Sequence, residues 1–578
     1  MPTSASPALF DQFARGWRGY VLIALIALTS ALFGAARMPV MDADEARFAQ
    51  ATRQMIESGD YVRIRLQDEA RNRKPVGIHW LQAAAVNAAR PFTGSLNTIW
   101  PYRLPSALGA VLAALGALWA GRTLLSERAA LFGAGLFAAG ALVGFEGMTA
   151  KTDAALLGFT TLGMAALARL KFTTARPKLL ALVFWFAVGC GVMIKGPVTP
   201  LVAGLTLAAL AVWERRAKWM RPLLWWPGPL LALLIVAPWS IAIWLQTNGA
   251  FFFEMIFADL APKLVSGHEQ HFALPGYHLF LLPFLIFPAT YALPAAARLG
   301  WEAVRAPRND SETAPHRFLL AWAMPIILFF ELAPTKLAHY ALPAYPAIAL
   351  LCGAGLVAML GRRWRTTHPA GVVLFAVAGA VLVALMAIGA TFMPGDFAAD
   401  LRRALSTALI GLGVVAAAFT ALIMLRRPAA RAASLSACAL VLSFSMRERL
   451  LPEARALNVS SETVAALTRA RLTPRDNRPL WVVGYNEPSL VFMTRTSIRL
   501  AEPGEAGAQA QIGDALVIEG RALQEVAAEL ATRNLVFRPA EPPVRGLSLG
   551  RGERVALFVG QLEERPSGEP AAGPPQNP

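Results

Sequence analysis

Long apolar runs, parted by short polar and basic stretches, recur through most of this sequence. They fall at Tyr20–Ala36, Pro101–Gly121, Ala129–Phe145, Ala154–Leu170, Leu179–Ile194, Val198–Trp213, Leu223–Leu245, Tyr277–Ala297, Phe318–Leu332, Ala341–Leu360, Ala370–Phe392, Ala404–Leu425 and Ala432–Phe444. A helix rises ~1.5 Å per residue and the hydrocarbon core of a bilayer is ~30 Å thick, so runs of this size predict about thirteen membrane-spanning helices. The first is expected to be kept as a span rather than removed as a signal peptide, because it is long and further spans follow it.

Two regions break the rhythm. Between Arg37 and Trp100, Phe48, Thr52, Met55 and Ile56 share one face at helical spacing until Gly59-Asp60, which predicts an amphipathic helix lying on the membrane surface. Val62, Ile64 and Leu66 then alternate with polar residues as a short strand does, and Arg73-Lys74-Pro75 opens a second helix to about Arg90. Beyond Arg447 the apolar runs shorten. Strands are expected at Leu480–Val483, Ala515–Ile518, Leu535–Phe537 and Val555–Val559, with helices at Pro488–Met493 and Ala522–Thr532. The predicted architecture is an α-helical membrane domain over 1–446 with a large outer loop at 37–100, a small soluble α/β domain over 447–565, and a disordered tail over 566–578.

Charge orients this arrangement. The chain has 578 residues, 56% apolar and 16% charged, with a formal charge of +17. Its basic residues lie in short clusters between spans, not on one folded face, which speaks against nucleic acid and for membrane lipid as the partner. With thirteen spans, Arg169/Lys171/Arg176/Lys178, Arg215/Arg216/Lys218/Arg221, Arg298/Arg305/Arg308/Arg317, Arg362/Arg363/Arg365 and Arg426/Arg427/Arg431 share one side, the cytoplasmic one. The 37–100 loop and everything after Arg447 then face outward, to the periplasm if the membrane is a bacterial inner membrane. Cys190, Cys352 and Cys438 lie apart within apolar runs and imply no disulfide framework.

The outward loops hold Asp42/Asp44/Glu45, Arg73/Lys74, Lys151/Asp153, Lys195, Lys263, His268-Glu269-Gln270-His271 and Lys336-Leu337-Ala338-His339-Tyr340. Lysines and carboxylates at one membrane surface suit a substrate with a lipid tail and a phosphate head. Asp42 and Glu45 also have capping-box spacing, and Asp42 is expected to cap the helix that follows.

Five short motifs, in order along the chain, carry a resemblance: Asp44-Glu45-Ala46-Arg47, Arg73-Lys74-Pro75, Lys151-Thr152-Asp153, Ile194-Lys195-Gly196-Pro197, and Thr335-Lys336-Leu337-Ala338-His339-Tyr340-Ala341-Leu342-Pro343. In this the chain resembles the polyprenyl-phosphate-dependent glycosyltransferases of GT-C fold, in particular the aminoarabinose transferases of lipid A and the related protein O-mannosyltransferases. The resemblance implies Asp44 as principal catalytic carboxylate with Asp153 as a second, and Lys74, Lys195, Lys336, Tyr340 and Arg73 near the donor phosphate. Glu45, Arg47, His271 and His339 are expected beside the substrates. Where the aminoarabinose transferases have a zinc-site glutamate, this chain has Arg73, which cannot ligate a metal; His268, Glu269 and His271 are the remaining metal candidates, and no cofactor is expected to be required.

The implied reaction is inverting transfer of a sugar from a polyprenyl-phosphate carrier to lipid A or another envelope glycolipid at the periplasmic face. A protein Ser or Thr acceptor is the alternative within enzymes. A lipid or sugar transporter is the alternative outside them, but it would place ionisable residues mid-span rather than at loop edges.

Overall fold

The computed structural model describes residues 15–42, 44–265, 273–359, 366–392, 397–475, 478–548 and 550–566. Among these, eight helices are long and apolar enough to cross a membrane, two bent pairs pass the same test, and three shorter apolar helices complete the set, matching the thirteen runs one for one. The first three helices are α1 (Gly16–Leu32), α2 (Asp44–Ser58) and α3 (Gly77–Thr93), and α1 alone of these is an apolar span. There follow α4 (Trp100–Leu124), α5 (Glu127–Ala138), α6 (Ala141–Met148), α7 (Asp153–Phe172), α8 (Pro177–Lys195) and α9 (Val198–Glu214). The run at Ala129–Phe145 is not straight, since α5 and α6 meet at 53°, and the run at Tyr277–Ala297 turns through 112° between Leu285 and Ala289.

The membrane core is built largely of alanine and glycine, which let helices approach closely where there is no water to drive them together. Helices α4 and α7 show this best. A Cβ on Gly109 would meet the Ala154 carbonyl oxygen at 2.4 Å, and one on Gly158 would meet that of Gly109 at 2.7 Å. The two backbones therefore touch, and this fixes the start of α7, where Asp153 sits.

The two ends of the bundle differ. At one end, Lys171 and Arg317 both approach Glu214, which ties α7, α9 and the helix Ala314–Leu332 together among the basic clusters. The other end collects the loops with the motif residues.

Helix α2 departs from expectation. It does not lie free on a membrane surface: Glu45, Ala46, Phe48, Ala49, Gln50, Ala51, Thr52, Arg53 and Met55 are all buried. The apolar face packs inward as the periodicity indicates, but the polar face is covered too, by the carboxy-terminal part of the chain. The expected strand at Val62–Leu66 shrinks to β1 (Arg65–Leu66), paired with β2 (Glu69–Ala70).

The carboxy-terminal unit is a six-stranded sheet, β3 (Leu480–Val483), β4 (Arg499–Ala501), β5 (Ala515–Glu519), β6 (Leu535–Pro539), β7 (Val544–Ser548) and β8 (Glu553–Glu564). Its order is β4-β3-β5-β8-β6, with β7 also on β8; β3 pairs in parallel with β4 and β5, and β8 pairs antiparallel with β5, β6 and β7. The α/β reading and four strands agree with the sequence pattern. The missed strands, β4 and β7, are short and mixed in burial, so they lack the apolar run that marks β3 and β5.

Candidate active site

A cavity of about 370 Å³ opens at the motif end of the bundle. Its lining joins apolar side chains, Leu156, Leu157, Val198, Leu201, Phe329 and Phe330, to a set of charged ones. Arg71, Arg73, Lys74, Lys195 and Lys263 face Asp44, Asp153 and Asp259 there, an excess of cations over carboxylates that favours an anionic ligand. They come from several separate stretches, 71–74 and 259–263 among them, so the site exists only when the loops are assembled.

Asp44 opens α2, and its side chain is about half exposed, with Arg47 at 3.7 Å. Across the cavity, Lys195 is the last residue of α8; Gly196, at φ 62°, caps that helix, and Pro197 leads at once into α9. This turn aims Lys195 at the first residue of α7, where its ammonium lies 2.5 Å from Asp153. Lys74 follows β2 and lies 2.6 Å from Asp259, whose other oxygen is 2.6 Å from Lys263. Burial, against the pull of Asp259, lowers the Lys74 ammonium to about 8. For Asp259 the two lysines prevail over burial and hold the carboxylate below its usual range.

A second layer backs Asp153. Lys151 is 2.9 Å from Glu146 and 3.9 Å from Asp153, and these carboxylates outweigh burial to keep it charged. His339 stands between the same two groups, Nε2 at 3.6 Å from Asp153 and Nδ1 at 4.0 Å from Glu146. Burial pushes its imidazole down to about 3, so it is neutral. Tyr340 lines the cavity and presents its ring to Lys195 at 5.8 Å.

Of the residues expected from sequence, Asp44, Asp153, Arg73, Lys74, Lys195, His339 and Tyr340 share this cavity. Others do not. Glu45, expected beside substrate, is 2% exposed and points away: both its oxygens take Arg103 at 2.8 Å, and it accepts the backbone N–H of Met41 and of Ala150. Neighbours in sequence, Asp44 and Glu45 thus point in different directions, since consecutive helical positions diverge by about 100°. Lys336, expected at the phosphate, is 4% exposed and donates to the Ala333 carbonyl; Ala333, Thr335 and Leu337 line the cavity, but Lys336 itself does not. Arg47 stands beside Asp44 but does not line the cavity.

Asp42 engages the carboxy-terminal unit instead of serving mainly as a cap. It accepts from Ser489 and, at 3.5 Å, from Ser460, and burial together with Glu487 pushes its carboxyl up to about 6. A carboxyl whose folded pKa exceeds its unfolded one stabilises the fold fully below the unfolded value, near 3.8, and that contribution fades as pH rises through about 6. Asp42→Asn mimics the protonated form, so it should raise thermal stability at about pH 8 and lose that advantage by about pH 4. Unfolding curves across this range check it; an advantage independent of pH would contradict the assignment.

Arg71 and Asp259 also line the cavity and were not legible as site residues; Lys263 stood out only as a lysine in a loop read as outward, and its spacing from Asp259, four residues on, is the sole signal for the acid.

Among the described residues no three His, Cys, Asp or Glu side chains gather as ligands, and the guanidinium of Arg73 occupies the wall. His268, Glu269 and His271 lie outside the described residues.

The fold defines a class. A crystal structure of ArnT from Cupriavidus metallidurans bound to undecaprenyl phosphate matches with a TM-score of 0.74 at 19% identity, over 94% of this chain and 98% of that one. The archaeal oligosaccharyltransferase AglB from Archaeoglobus fulgidus matches at 0.50 and 12% identity, over 92% and 73%. The chain is thus a polytopic membrane protein of GT-C fold. Within that class, residues 73–244 match the family described as dolichyl-phosphate-mannose-protein mannosyltransferase. The undecaprenyl phosphate-alpha-4-amino-4-deoxy-L-arabinose arabinosyl transferase of Pectobacterium atrosepticum is 30% identical over 323 residues, 54% of each chain, and one from Pseudomonas fluorescens is 30% identical over 324. The chain spans about half the length of the curated relatives it matches. The resemblance carried by the five motifs therefore holds.

Proposed function

We propose that the protein is a glycosyltransferase of the bacterial inner membrane, moving a sugar from a polyprenyl-phosphate carrier to lipid A or another envelope glycolipid at the periplasmic face. The observation that carries this is a cavity whose lining joins apolar side chains to an excess of cations. A polyprenyl tail packs on the apolar side chains while its phosphate meets Lys74 and Lys195, with Arg73 and Lys263 beside them.

In the reaction the acceptor oxygen bonds to the anomeric carbon as the bond from that carbon to the phosphate oxygen breaks. Charge accumulates on the departing phosphate, where fixed cations stabilise it most. A hydroxyl acceptor passes its proton to Asp44; a phosphate acceptor is already anionic, and Asp44 then serves to hold it in line. Asp153, with Lys151 and His339 behind it, orients Lys195. The donor's own glycosyl-phosphate bond supplies the driving force, and no cofactor enters the scheme.

Lys74→Met and Lys195→Met keep the stems and remove the charge. Each should slow transfer by roughly ten- to a hundred-fold, the size of one lost charged hydrogen bond of about 1.5–3 kcal/mol. Wild-type donor affinity and rate in both would take these lysines out of the site. The function itself is tested by mass spectrometry of lipid A and envelope glycoproteins from cells with and without the gene. A sugar increment lost from glycolipid is the expected result. Loss from protein alone would make the acceptor Ser or Thr, and unchanged masses in both would sink the reading.

A further inference from the structure

The carboxy-terminal unit does not merely stand above the membrane domain; its contacts converge on the helix that begins with Asp44. Arg53, two and a half turns along α2, is 5% exposed. Its Nη1 donates to the carbonyls of Phe492, Thr494 and Val491 at 2.7, 3.3 and 3.4 Å, and its Nε to Glu57 at 2.7 Å. Those carbonyls end the short helix Pro488–Met493. Val491 also accepts the Thr494 N–H at 3.3 Å, but carbonyls at a helix end are short of helical partners, so a buried guanidinium serves several at once. The residues that follow are held as firmly. Asn97 donates to the Thr494 carbonyl at 2.9 Å, Gln67 to that of Ile498 at 2.6 Å, and Gln50 to the Thr496 hydroxyl at 2.9 Å.

Phe492 adds an apolar wedge. It is fully buried, its ring 5.2 Å from that of Tyr102, in a cluster with Ala46 and Ala49 of α2 and with Ala150. Ala46 lies two residues beyond Asp44, and Ala150 three residues before Asp153. One side chain from the carboxy-terminal unit thus shares a packed cluster with residues close in sequence to both carboxylates in the cavity.

We propose that segment 488–498 is a working part of the site, with Arg53 and Phe492 as positioning residues that set Asp44 against Asp153. Neither reaches the cavity, so neither is a catalytic residue. Displacing a reacting group by about 1 Å costs on the order of 10²-fold in rate, so a loosened clamp is felt in turnover even though every cavity residue remains.

The activity arm of the test rests on the transfer reading above; a second arm does not. In purified full-length protein, Arg53→Met should lower kcat at least tenfold while leaving KM for the polyprenyl-phosphate donor unchanged, because Lys195 and Lys263 stand on other elements. Arg53→Lys, which keeps one charged donor, should fall between. Hydrogen–deuterium exchange should speed up across 44–58 in Arg53→Met and stay as in wild type within α7 and α8. A merely structural role would lower yield or exchange protection throughout without splitting kcat from KM. If Arg53→Met yields no folded protein, Phe492→Leu carries the same readouts. Exchange across 44–58 equal to wild type, or kcat within about twofold, overturns the proposal. A wild-type protein inactive on every polyprenyl-phosphate sugar would defeat the transfer reading alone, and the exchange arm would still decide whether the segment clamps α2.

Discussion

Asp44→Asn is expected to all but abolish transfer while the protein inserts and folds as before. The side chain is about half exposed where it lines the cavity, so its loss removes no buried packing. Asn matches it in size and still caps a helix terminus, which leaves α2 in place. What disappears is the carboxylate. If the acceptor is a hydroxyl, removal of a general base costs typically about 10²–10⁴-fold, and the pH dependence of the residual rate changes with it. With a phosphate acceptor the loss lies in alignment and in charge held against the oxocarbenium-like sugar, and the pH profile keeps its form. Product at the wild-type level from Asp44→Asn would reject the assignment that organises this site.

Arg103→Met should fail for the opposite reason: its effect is on the fold. The guanidinium is 1% exposed, and besides Glu45 it serves the carbonyls of Met38, Ala35 and Pro39 at 2.7, 2.9 and 2.9 Å. Removing one partner of such a buried pair leaves the other charge uncompensated, a loss of about 3–5 kcal/mol. The expected outcome is a sharp fall in folded yield and melting temperature. Adding Glu45→Gln removes the stranded charge and should recover part of the loss, but not all, since the backbone carbonyls still lack their donor. Wild-type melting of the single variant would mean that the turn from α1 into α2 is held by something else.

These two neighbours, Asp44 and Glu45, show how far the sequence could be read. Spans were legible because a run of ~20 apolar residues has one common structural outcome in a membrane. The cavity was legible as a set of motifs in outward loops, and seven of the predicted residues do meet there. Which charges in a motif face the cavity was not, because adjacent helical positions diverge by about 100° and the sequence does not state the phase. Glu45 was misjudged on that account, and Lys336, which lies in a loop, because its ammonium turns back to the Ala333 carbonyl. Asp259 was missed because its partner Lys74 is far away in sequence, and pairing of that kind is set by how the loops assemble. The carboxy-terminal cover over α2 was missed too. Gln50 and Arg53 look like a solvated face until Thr496 and the carbonyls of Val491, Phe492 and Thr494 are placed over them.

Asp259, set between Lys74 and Lys263, bears on selectivity once the transfer reading is granted. Both lysines already share a carboxylate tethered to the same molecule, and tethering gives it a millimolar-scale effective concentration. Chloride or free phosphate entering from the aqueous side must compete with that carboxylate, and brings nothing else to the exchange. A polyprenyl phosphate also brings hydrocarbon, worth about 0.8 kcal/mol for each methylene it buries. On that reading, a handful of isoprenoid carbons against the apolar lining favours an anion attached to a lipid over a common anion of the same charge.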